Sequence, residues 1–277
     1  MNRFDRLIRR LTLSELNADT FVGGAGEGGV GGHARLFGGL VAAQATMAAQ
    51  LHCRQFPLHS IHAYFLRPGR AQKDIEYHVS TTKQGKNYAA RLVQAKQGDE
   101  LIFQLQASFH RKVDGVSHSL VMPSVAQPNK LPNRDKLRGR SYWQDMPIDV
   151  RMCDEITADQ ALPAEQGVWL RANGKIPLEH PLNQELHKAL LVYASDRSLL
   201  DTAWRPHADQ GELHGASLDH AVWFHHDIDV SQWLLYTMHS PAAGSGRGLA
   251  FGNLFNQSEI VVASVAQEGS LNYLPRS

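Results

Sequence analysis

One stretch of the sequence constrains the fold more than any other. Residues 36–51 contain no charged side chain and are rich in alanine, the residue that most favours a helix. An amphipathic surface helix needs a polar face, and this stretch has none. We therefore predict a helix that other elements enclose on all sides.

The residues that follow alternate in the manner of strands and are separated by short turns. Turn-forming sequences stand at 84–87 (QGKN) and 97–99 (QGD), where they join neighbouring strands as hairpins. This pattern predicts an antiparallel meander around the single helix. The strands are expected at 58–66, 74–82, 87–97 and 100–110.

The order of elements then repeats. Prolines at 123, 128, 132, 147 and 163 mark a stretch of weak periodicity, which we interpret as a linker. The predicted division is an N-terminal unit at 1–113, a linker at 114–163 and a C-terminal unit at 164–277. In the C-terminal unit we expect a strand at 166–172, a helical stretch at 183–204 and strands at 214–226, 232–240, 247–256 and 259–267.

Short sequence echoes suggest that the two units are duplicates. The pair His62-Ala63 recurs as His220-Ala221, 158 positions later, and residues 100–102 resemble 259–261. Each match is short enough to arise by chance, but the shared order of elements favours duplication. The predicted fold class is α+β: a double hotdog, with two antiparallel sheets each wrapped around a central helix in one chain.

Composition excludes several classes of protein. The 28 basic and 27 acidic side chains give a net charge of +1, which argues against a dedicated nucleic-acid binder. No apolar run approaches the length of a membrane span, so we expect no membrane segment and no signal peptide. The only two cysteines, Cys53 and Cys153, are too distant in sequence for a recognisable zinc motif, and a cytoplasmic location is expected.

Three familiar motifs fail on inspection. Residues 24–29 satisfy G-x-G-x-x-G, but no convincing strand precedes them and no acid follows to bind a ribose. Residues 215–219 miss the last glycine of a serine-hydrolase elbow. The run 225–227 (HHD) lacks further ligands at metal-binding spacing, so its histidines are better interpreted as structural.

An acid-free stretch, residues 28–73, makes part of the first unit locally basic. Arginine suits bidentate contact with phosphate, so the stretch could meet a phosphate-bearing ligand. Solvated surface is the alternative, because the density of basic residues is only the chain average. The basic residues are Arg35, Arg54, Arg67, Arg70 and Lys73.

Three polar residues occupy positions where apolar ones are expected. Asp196 falls within the apolar stripe of the helix at 183–204 if that helix is unbroken, and a buried carboxylate needs partners or a function. Alternatively, Ser195 or Asp196 caps a new helix that begins at Arg197. Gln267 ends the apolar row of its strand and Ser217 opens another strand; each alone could be structural.

At these residues the chain resembles the acyl-CoA thioesterase II family, the TesB-like double hotdog thioesterases. The resemblance covers nearly the whole chain, and 59–69 (HSIHAYFLRPG) is its most specific segment. Further segments are 36–41 (LFGGLV), 85–87 (GKN), 169–174 (WLRANG), 193–196 (YASD), 218–225 (LDHAVWFH), 233–236 (WLLY) and 262–269 (VASVAQEG).

This resemblance implies hydrolysis of acyl-CoA to fatty acid and coenzyme A. The family's catalytic aspartate and glutamine fall on Asp196 and Gln267. Its third residue, usually threonine, is Ser217 here, which keeps the hydroxyl and loses the methyl group. No metal or other cofactor is implied, since coenzyme A is part of the substrate, and we expect a homo-oligomer.

Two other functions remain open at this point. A hotdog hydratase or dehydratase also binds acyl-CoA, and the spacing of Asp209 and His214 fits its Asp-x-x-x-x-His pattern numerically. An acyl-CoA-binding module in which the threonine-to-serine change has weakened catalysis is the third possibility. Within the thioesterase hypothesis, Asp196 could act as a general base or as a nucleophile that forms a covalent anhydride.

Overall fold

Strands from both halves of the chain make up the structure, a computed structural model that describes residues 1–25, 35–141, 143–154 and 160–275. The helices are α1 (Arg3–Leu11), α2 (Gly38–His52), α3 (Arg134–Leu137), α4 (Asn183–Ser195) and α5 (Leu199–Trp204). The strands are β1 (Ser14–Asn17), β2 (Thr20–Gly23), β3 (Leu58–Phe65), β4 (Ile75–Gln84), β5 (Tyr88–Gln97), β6 (Glu100–His110), β7 (Ile148–Met152), β8 (Glu165–Ala172), β9 (Gly211–Leu213), β10 (Ala216–Ser217), β11 (Asp219–Phe224), β12 (Leu234–Gly244), β13 (Arg247–Phe255), β14 (Val261–Ser270) and β15 (Tyr273–Pro275).

Thirteen of these strands form one antiparallel sheet. Its order is β1-β2-β4-β5-β6-β3-β11-β14-β13-β12-β8-β7, and the two-residue strand β10 also pairs with β14. β9 and β15 pair separately. The prediction of two separate sheets is therefore wrong, because β3 and β11 pair with each other from Ser60–Trp223 to Tyr64–Asp219. Their pairing satisfies backbone groups that would otherwise lie along two open sheet edges.

Helix α2 confirms the prediction of an enclosed helix. Every residue from Gly39 to Gln50 is buried, and the helix packs against α4 and the strands of its own half. Its polar side chains have partners: Gln44 accepts from the Tyr77 hydroxyl at 2.6 Å, and Thr46 donates to a carbonyl one turn earlier. The missing charge thus reflects burial on all sides.

The four predicted strands of the first half are confirmed within one or two residues at each end. β4, β5 and β6 form the expected antiparallel hairpins, with turns at the two predicted positions. The predicted meander is wrong for β3, which lies between β6 and β11 rather than beside β4. The hairpin of β1 and β2 was not predicted, and it extends the sheet beyond β4. β2 ends at Gly23, so a strand does precede the glycine-rich run at 24–29, contrary to the expectation, and residues 26–29 of that run lie outside the described residues.

The second half differs from the prediction at two places. The helix expected over 183–204 is broken between Ser195 and Leu199, giving α4 and α5. The single strand expected over 214–226 is divided into β10 and β11, with β9 before them. In addition, β7 and α3 lie inside the stretch that we interpreted as a linker, and β7 pairs with β8 at the sheet edge.

Backbone hydrogen bonds reveal how the two halves correspond. The amides of Leu66 and Arg67 both donate to the Ile102 carbonyl, at 2.9 and 3.1 Å. The amides of His225 and His226 donate in the same way to the Val262 carbonyl, at 2.9 and 3.4 Å. Equivalent residues are therefore separated by about 159 to 160 positions in these strands.

The echo of His62 in His220, at 158 positions, consequently does not mark equivalent sites. His62 is exposed, whereas His220 is fully buried. Because successive strand residues face opposite sides of a sheet, an error of one position reverses the direction of every side chain.

Candidate active site

Asp196 lies at the break between α4 and α5. It occupies the C-terminal cap of α4 with helical dihedral angles, so it does not begin the next helix, and Ser198 holds that position without a side-chain cap. The break is fixed from outside: the buried Arg134 guanidinium donates to the Arg197 carbonyl at 3.1 Å and also to the Ser198 hydroxyl. Asp196 therefore lies neither inside an unbroken helix nor at the start of a new one, the two positions that the sequence suggested.

The structure brings the three predicted site residues together. Asp196 Oδ1 accepts hydrogen bonds from Gln267 Nε2 at 2.6 Å and from Ser217 Oγ at 3.0 Å. Gln267 Nε2 also donates to Ser217 Oγ at 3.0 Å, which closes a triangle of polar side chains. Two donors on one carboxylate oxygen hold Asp196 in a single orientation.

Two strands position the donors. Gln267 is fully buried on β14, in the apolar row with Val261, Ala263 and Val265 that the sequence predicted, although the strand continues to Ser270. Ser217 lies on β10, whose pairing with Gly269 places it beside Gln267. Within the described chain, Gln267 Oε1 is buried without a hydrogen-bond partner.

The second oxygen of Asp196 faces the N-terminus of α2, which belongs to the other half of the chain. A Cβ atom added to Gly38 would lie 3.4 Å from Asp196 Oδ2 and 2.8 Å from the Phe65 ring. The first amides of a helix have no partner inside it and carry partial positive charge, and no side chain caps α2 here. The carboxylate thus lies where a helix dipole favours negative charge.

Sequence analysis missed the buried groups that support this triangle. His220 is fully buried, and its Nε2 lies 3.0 Å from the hydroxyl of Ser195, the residue before Asp196. Because that hydroxyl donates to the Val192 carbonyl, it can only accept from His220, so Nε2 carries the proton. Burial lowers the pKa of His220, which keeps the imidazole neutral, while the Asp196 and Asp219 carboxylates oppose that shift.

Asp219 and Tyr236 complete the surroundings. Asp219 Oδ1 accepts from the amide of Glu268, next to Gln267, at 2.6 Å. Burial, and secondarily the charge of Asp196, raise the pKa of Tyr236 well above its usual value, so the phenol stays protonated. Its hydroxyl is buried without a partner among the described residues. The Asp-His pair at 219–220 and the segment 233–236 were the sequence signals that could have indicated these residues.

A cleft of about 1150 Å³ opens at Asp196 and Ser217 and takes its walls from both halves. Of the basic residues in the acid-free stretch, Arg35 and Arg67 line it; Arg54 lies elsewhere and donates to the Leu51 carbonyl. Arg67 also lies 3.7 Å from Glu100 and is half exposed. Apolar lining comes from Leu36, Phe37, Val41, Phe65, Phe103, Leu200 and Leu213.

No cluster of three or more potential metal ligands occurs among the residues that the structure describes. In the run 225–227, His225 Nε2 lies 3.0 Å from the Ser264 hydroxyl, and Asp227 forms an ion pair with Lys112 at 2.8 Å. Both are occupied in structural contacts. The described helices likewise include none with the length and hydropathy needed to cross a bilayer.

Fold and sequence comparisons define the class of protein. A structure from Alicyclobacillus acidocaldarius described as having a hot dog fold superposes with a TM-score of 0.80 at 18% identity, covering 97% of this chain and 98% of the other. The family model for the acyl-CoA thioesterase N-terminal domain matches residues 28–110, and that for acyl-CoA thioesterase matches 141–270. The chain therefore has the hotdog fold of a thioesterase.

Relatives along the full length identify the family. Acyl-CoA thioesterase 2 of Haemophilus influenzae is 34% identical, covering 97% of this chain and 98% of the relative. Human acyl-coenzyme A thioesterase 8 is 33% identical over 87% and 82% of the two chains. The crystal structure of acyl-CoA thioesterase II TesB2 from Mycobacterium marinum gives a TM-score of 0.81 at 34% identity, over 97% and 98%. This chain belongs to the TesB-like acyl-CoA thioesterase II family.

Proposed function

We propose that this protein hydrolyses acyl-CoA to a free fatty acid and coenzyme A, with Asp196 as the general base. One observation carries the assignment. A carboxylate held at one oxygen by Ser217 and Gln267 keeps its other oxygen directed toward a large cleft and the N-terminus of α2. Family membership supplies the substrate class.

In this mechanism Asp196 Oδ2 accepts a proton from water while the water oxygen attacks the thioester carbonyl carbon. The tetrahedral intermediate then expels the coenzyme A sulfur, and the proton on Asp196 passes to that sulfur as thiol is released. Ser217 and Gln267 keep Oδ1 occupied, so only Oδ2 is free to act. General-base catalysis of this kind contributes roughly 10²- to 10⁴-fold.

The amides at the start of α2 would stabilise the oxyanion that forms on the carbonyl oxygen. Gly38 lines the cleft and presents its backbone N–H group without a side chain, and it lies against both Phe65 and Asp196. Donors fixed in advance at a developing negative charge lower a barrier efficiently, because they need not reorganise during the reaction.

The cleft divides naturally between the two ends of the substrate. Arg35 and Arg67 would face the phosphates of coenzyme A, since guanidinium groups bind phosphate bidentately. The apolar side chains that surround Val41 and Phe65 would contact the acyl chain. Two of the five basic residues of the acid-free stretch, Arg35 and Arg67, are thus proposed to bind phosphate.

The hydratase alternative has less support. His214 lines the cleft, but Asp209, its partner in the required spacing, is exposed and is absent from the described cleft lining. A binding module without catalysis would not require the carboxylate to be oriented by two donors. Hydrolysis accounts for more of the observed geometry than either alternative.

The test is a screen of thiol release across acyl-CoAs from short to long chains, with absorbance of the enoyl double bond followed in parallel. We expect thiol release for at least one chain length and no change at the double bond. A change in double-bond absorbance without thiol would favour a hydratase. Tight acyl-CoA binding without either signal would favour a binding module.

Further properties are proposed with this function. The mechanism needs no metal or other cofactor, so activity should persist in excess chelator. The exposed strand β1 at one edge of the sheet suits a homo-oligomer, which light scattering after size exclusion would detect. Cys53 and Cys153 are free thiols, as suits the cytoplasm, and fractionation of cells would test that location.

A further inference from the structure

A second pocket, of about 530 Å³, lies between β3, β6, β11 and α4. We call it the histidine pocket. Residues 57–59 and 224–227 form its walls, together with His110, Lys188 and residues 112–114, which include Asp114. Its volume falls in the usual range for small-molecule sites.

The histidine pocket is the counterpart of the catalytic cleft in the duplicated fold. The cleft is lined by 215–217, just before β11, and by 65–68, at the end of β3. The histidine pocket is lined by 57–59 and 224–227, which correspond at a spacing of about 159 residues. The shared pattern of paired amides on Ile102 and Val262 establishes this correspondence independently of the pockets.

The counterpart has lost the chemistry of hydrolysis. At the spacing of about 159 residues between the halves, Leu58 occupies the position of Ser217. Leu58 pairs with Phe109 of β6, and Ser217 pairs with Gly269, the equivalent residue of β14. Ala107 occupies the position of Gln267, and the adjacent pairs His62–Gln106 and Ala221–Ala266 fix that register. Neither a hydroxyl nor an amide remains to orient a base.

A buried cation takes their place. Lys188 is only 5% exposed, its Nζ donates to the Leu58 carbonyl at 2.8 Å, and it lies 5.6 Å from the centre of the Phe224 ring. An ammonium group has three donors, so this leaves capacity for a ligand. Asp114 and Asp227 also line the pocket, but among the described residues no carboxylate forms an ion pair with Lys188, and Asp227 pairs with Lys112 at 2.8 Å. Burial lowers the pKa of Lys188, and the charges of Asp227 and Glu185 oppose that shift. A buried ammonium without a carboxylate in direct contact favours an anionic partner.

Four histidine side chains line the same pocket as this ammonium. His59 Nε2 lies 2.8 Å from the Ser108 hydroxyl, and the His110 ring stacks on Tyr88. His225 and His226 follow Phe224 at the end of β11. Imidazoles can donate to an oxyanion in either charge state, because a neutral ring keeps one N–H and a protonated ring has two.

We propose that the histidine pocket binds the oxyanion of a small phosphate or carboxylate ligand, with Lys188 as its counter-ion, at a site separate from the catalytic cleft. The pocket's volume exceeds that of a bare oxyanion and leaves room for an organic body beside Leu58 and Phe224. Phosphate and carboxylate share the chemistry that Lys188 recognises, so the probe experiment must distinguish them.

The test follows imidazole resonances by NMR during separate titrations with inorganic phosphate and with acetate. We expect saturable shifts at His59 and His225 with one or both anions, and the responding anion identifies the ligand class. Binding in the catalytic cleft would instead shift His214, which lines that cleft. Absence of a saturable shift at His59 and His225 with both anions would overturn the proposal.

A matched pair of variants tests the role of the buried ammonium. Lys188→Met should weaken anion binding at least about tenfold, the equivalent of losing one charge-assisted hydrogen bond. Lys130→Met, at an exposed lysine outside the pocket lining, should leave the affinity unchanged. Lys188→Arg retains the charge and should retain binding if Lys188→Met fails to fold. Equal affinity in folded Lys188→Met and wild-type protein would contradict the assignment.

Discussion

Ser217 orients the Asp196 carboxylate through its hydroxyl group, and unlike threonine it has no methyl group on Cβ. Its Oγ donates to Asp196 Oδ1 at 3.0 Å and accepts from Gln267 at the same distance. Hydrogen bonds to charged groups contribute about 1.5–3 kcal/mol, so Ser217→Ala should lower kcat about 10- to 100-fold. Steady-state thiol release, with KM measured alongside, checks this prediction.

Ser217→Thr is the matched control, because it restores the residue typical of the family and keeps the hydroxyl. Its added methyl group restricts rotation, and kcat should equal or exceed that of the wild type. If Ser217→Ala were as active as Ser217→Thr, the hydroxyl would have no part in orienting Asp196.

His220 should make the stability of the protein depend on pH. Because burial lowers its folded-state pKa, the unfolded chain binds protons more readily as pH falls below the ordinary imidazole pKa of about 6.5. The free energy of unfolding is therefore highest above that pH and decreases below it. Urea denaturation at pH 7.5 and 5.5 measures the difference, which should shrink in His220→Gln.

His118→Gln, at an exposed histidine, provides the comparison and should leave the pH dependence unchanged. His59, His187 and His225 also have pKa values lowered by burial, so some dependence should remain in His220→Gln. A pH dependence identical to that of the wild type would show that His220 is not held neutral by the fold.

At this scale the sequence pointed to three residues that the structure brings together, but partly for wrong reasons. Asp196 was singled out as a carboxylate on an apolar stripe, but the helix ends at Ser195. The place of Gln267 in a buried row was predicted correctly from strand periodicity. The Asp-His pair at 219–220 marked His220 in the sequence, but its contact with Ser195 could not be predicted, because tertiary packing alone brings the two residues together.

Among the secondary-structure elements, α2 contributes most directly to the site. Its N-terminus lies close to both Asp196 and Phe65. A methyl group at Gly38 would lie 3.4 Å from Asp196 Oδ2 and 2.8 Å from the Phe65 ring. Gly38→Ala should displace the ring or the helix end and lower kcat/KM about 10- to 100-fold, since small errors in position are costly in catalysis. Kinetic assays of thiol release measure the effect.

Gly115→Ala offers a control at a position where nothing lies within 4 Å of the added methyl group. It should match the wild type in both activity and thermal midpoint. Unchanged kcat/KM in Gly38→Ala would show that the close approach of α2 to the Asp196 carboxylate is unimportant for activity.

The break between α4 and α5 depends on a segment that looked like a linker. Arg134 of α3 holds the Arg197 carbonyl, and burial lowers the pKa of Arg134 to about 9, so it stays charged at neutral pH. Asp135 of the same helix is fully buried and pairs with Arg140 at 2.9 Å. Proline content and weak periodicity could not reveal this role, because Arg134 contacts Arg197 and Ser198, which lie 63 and 64 positions away in the sequence.

At the scale of the whole molecule, the two halves share one sheet and one site. The triangle of Asp196, Ser217 and Gln267 lies in the second half, whereas the helix end that faces it comes from the first. Hydrophobic periodicity predicted the main helices and strands of each half in their order, but not the β1–β2 hairpin, α3 or β7. The pairing of β3 with β11 was not predicted either, because each strand could equally have remained a sheet edge.

This sharing predicts that the second half cannot act alone. A fragment of residues 114–277 contains all three triangle residues but lacks α2 and the strand that pairs with β11. It should unfold or aggregate and show no thiol release, and co-expression with residues 1–113 should restore activity. Circular dichroism measures whether the fragment folds, and the thiol assay measures its activity alone and after co-expression. Full activity of the isolated fragment would contradict the shared site.

The most direct test of the account is Asp196→Asn, which keeps the size of the side chain and removes the basic oxygen. We predict a fall in kcat of about 10²- to 10⁴-fold, the usual contribution of a general base. Acyl-CoA affinity and the thermal midpoint should stay close to wild type. Thiol release by Asp196→Asn at a rate near that of the wild type would contradict the assignment of Asp196 as the catalytic base.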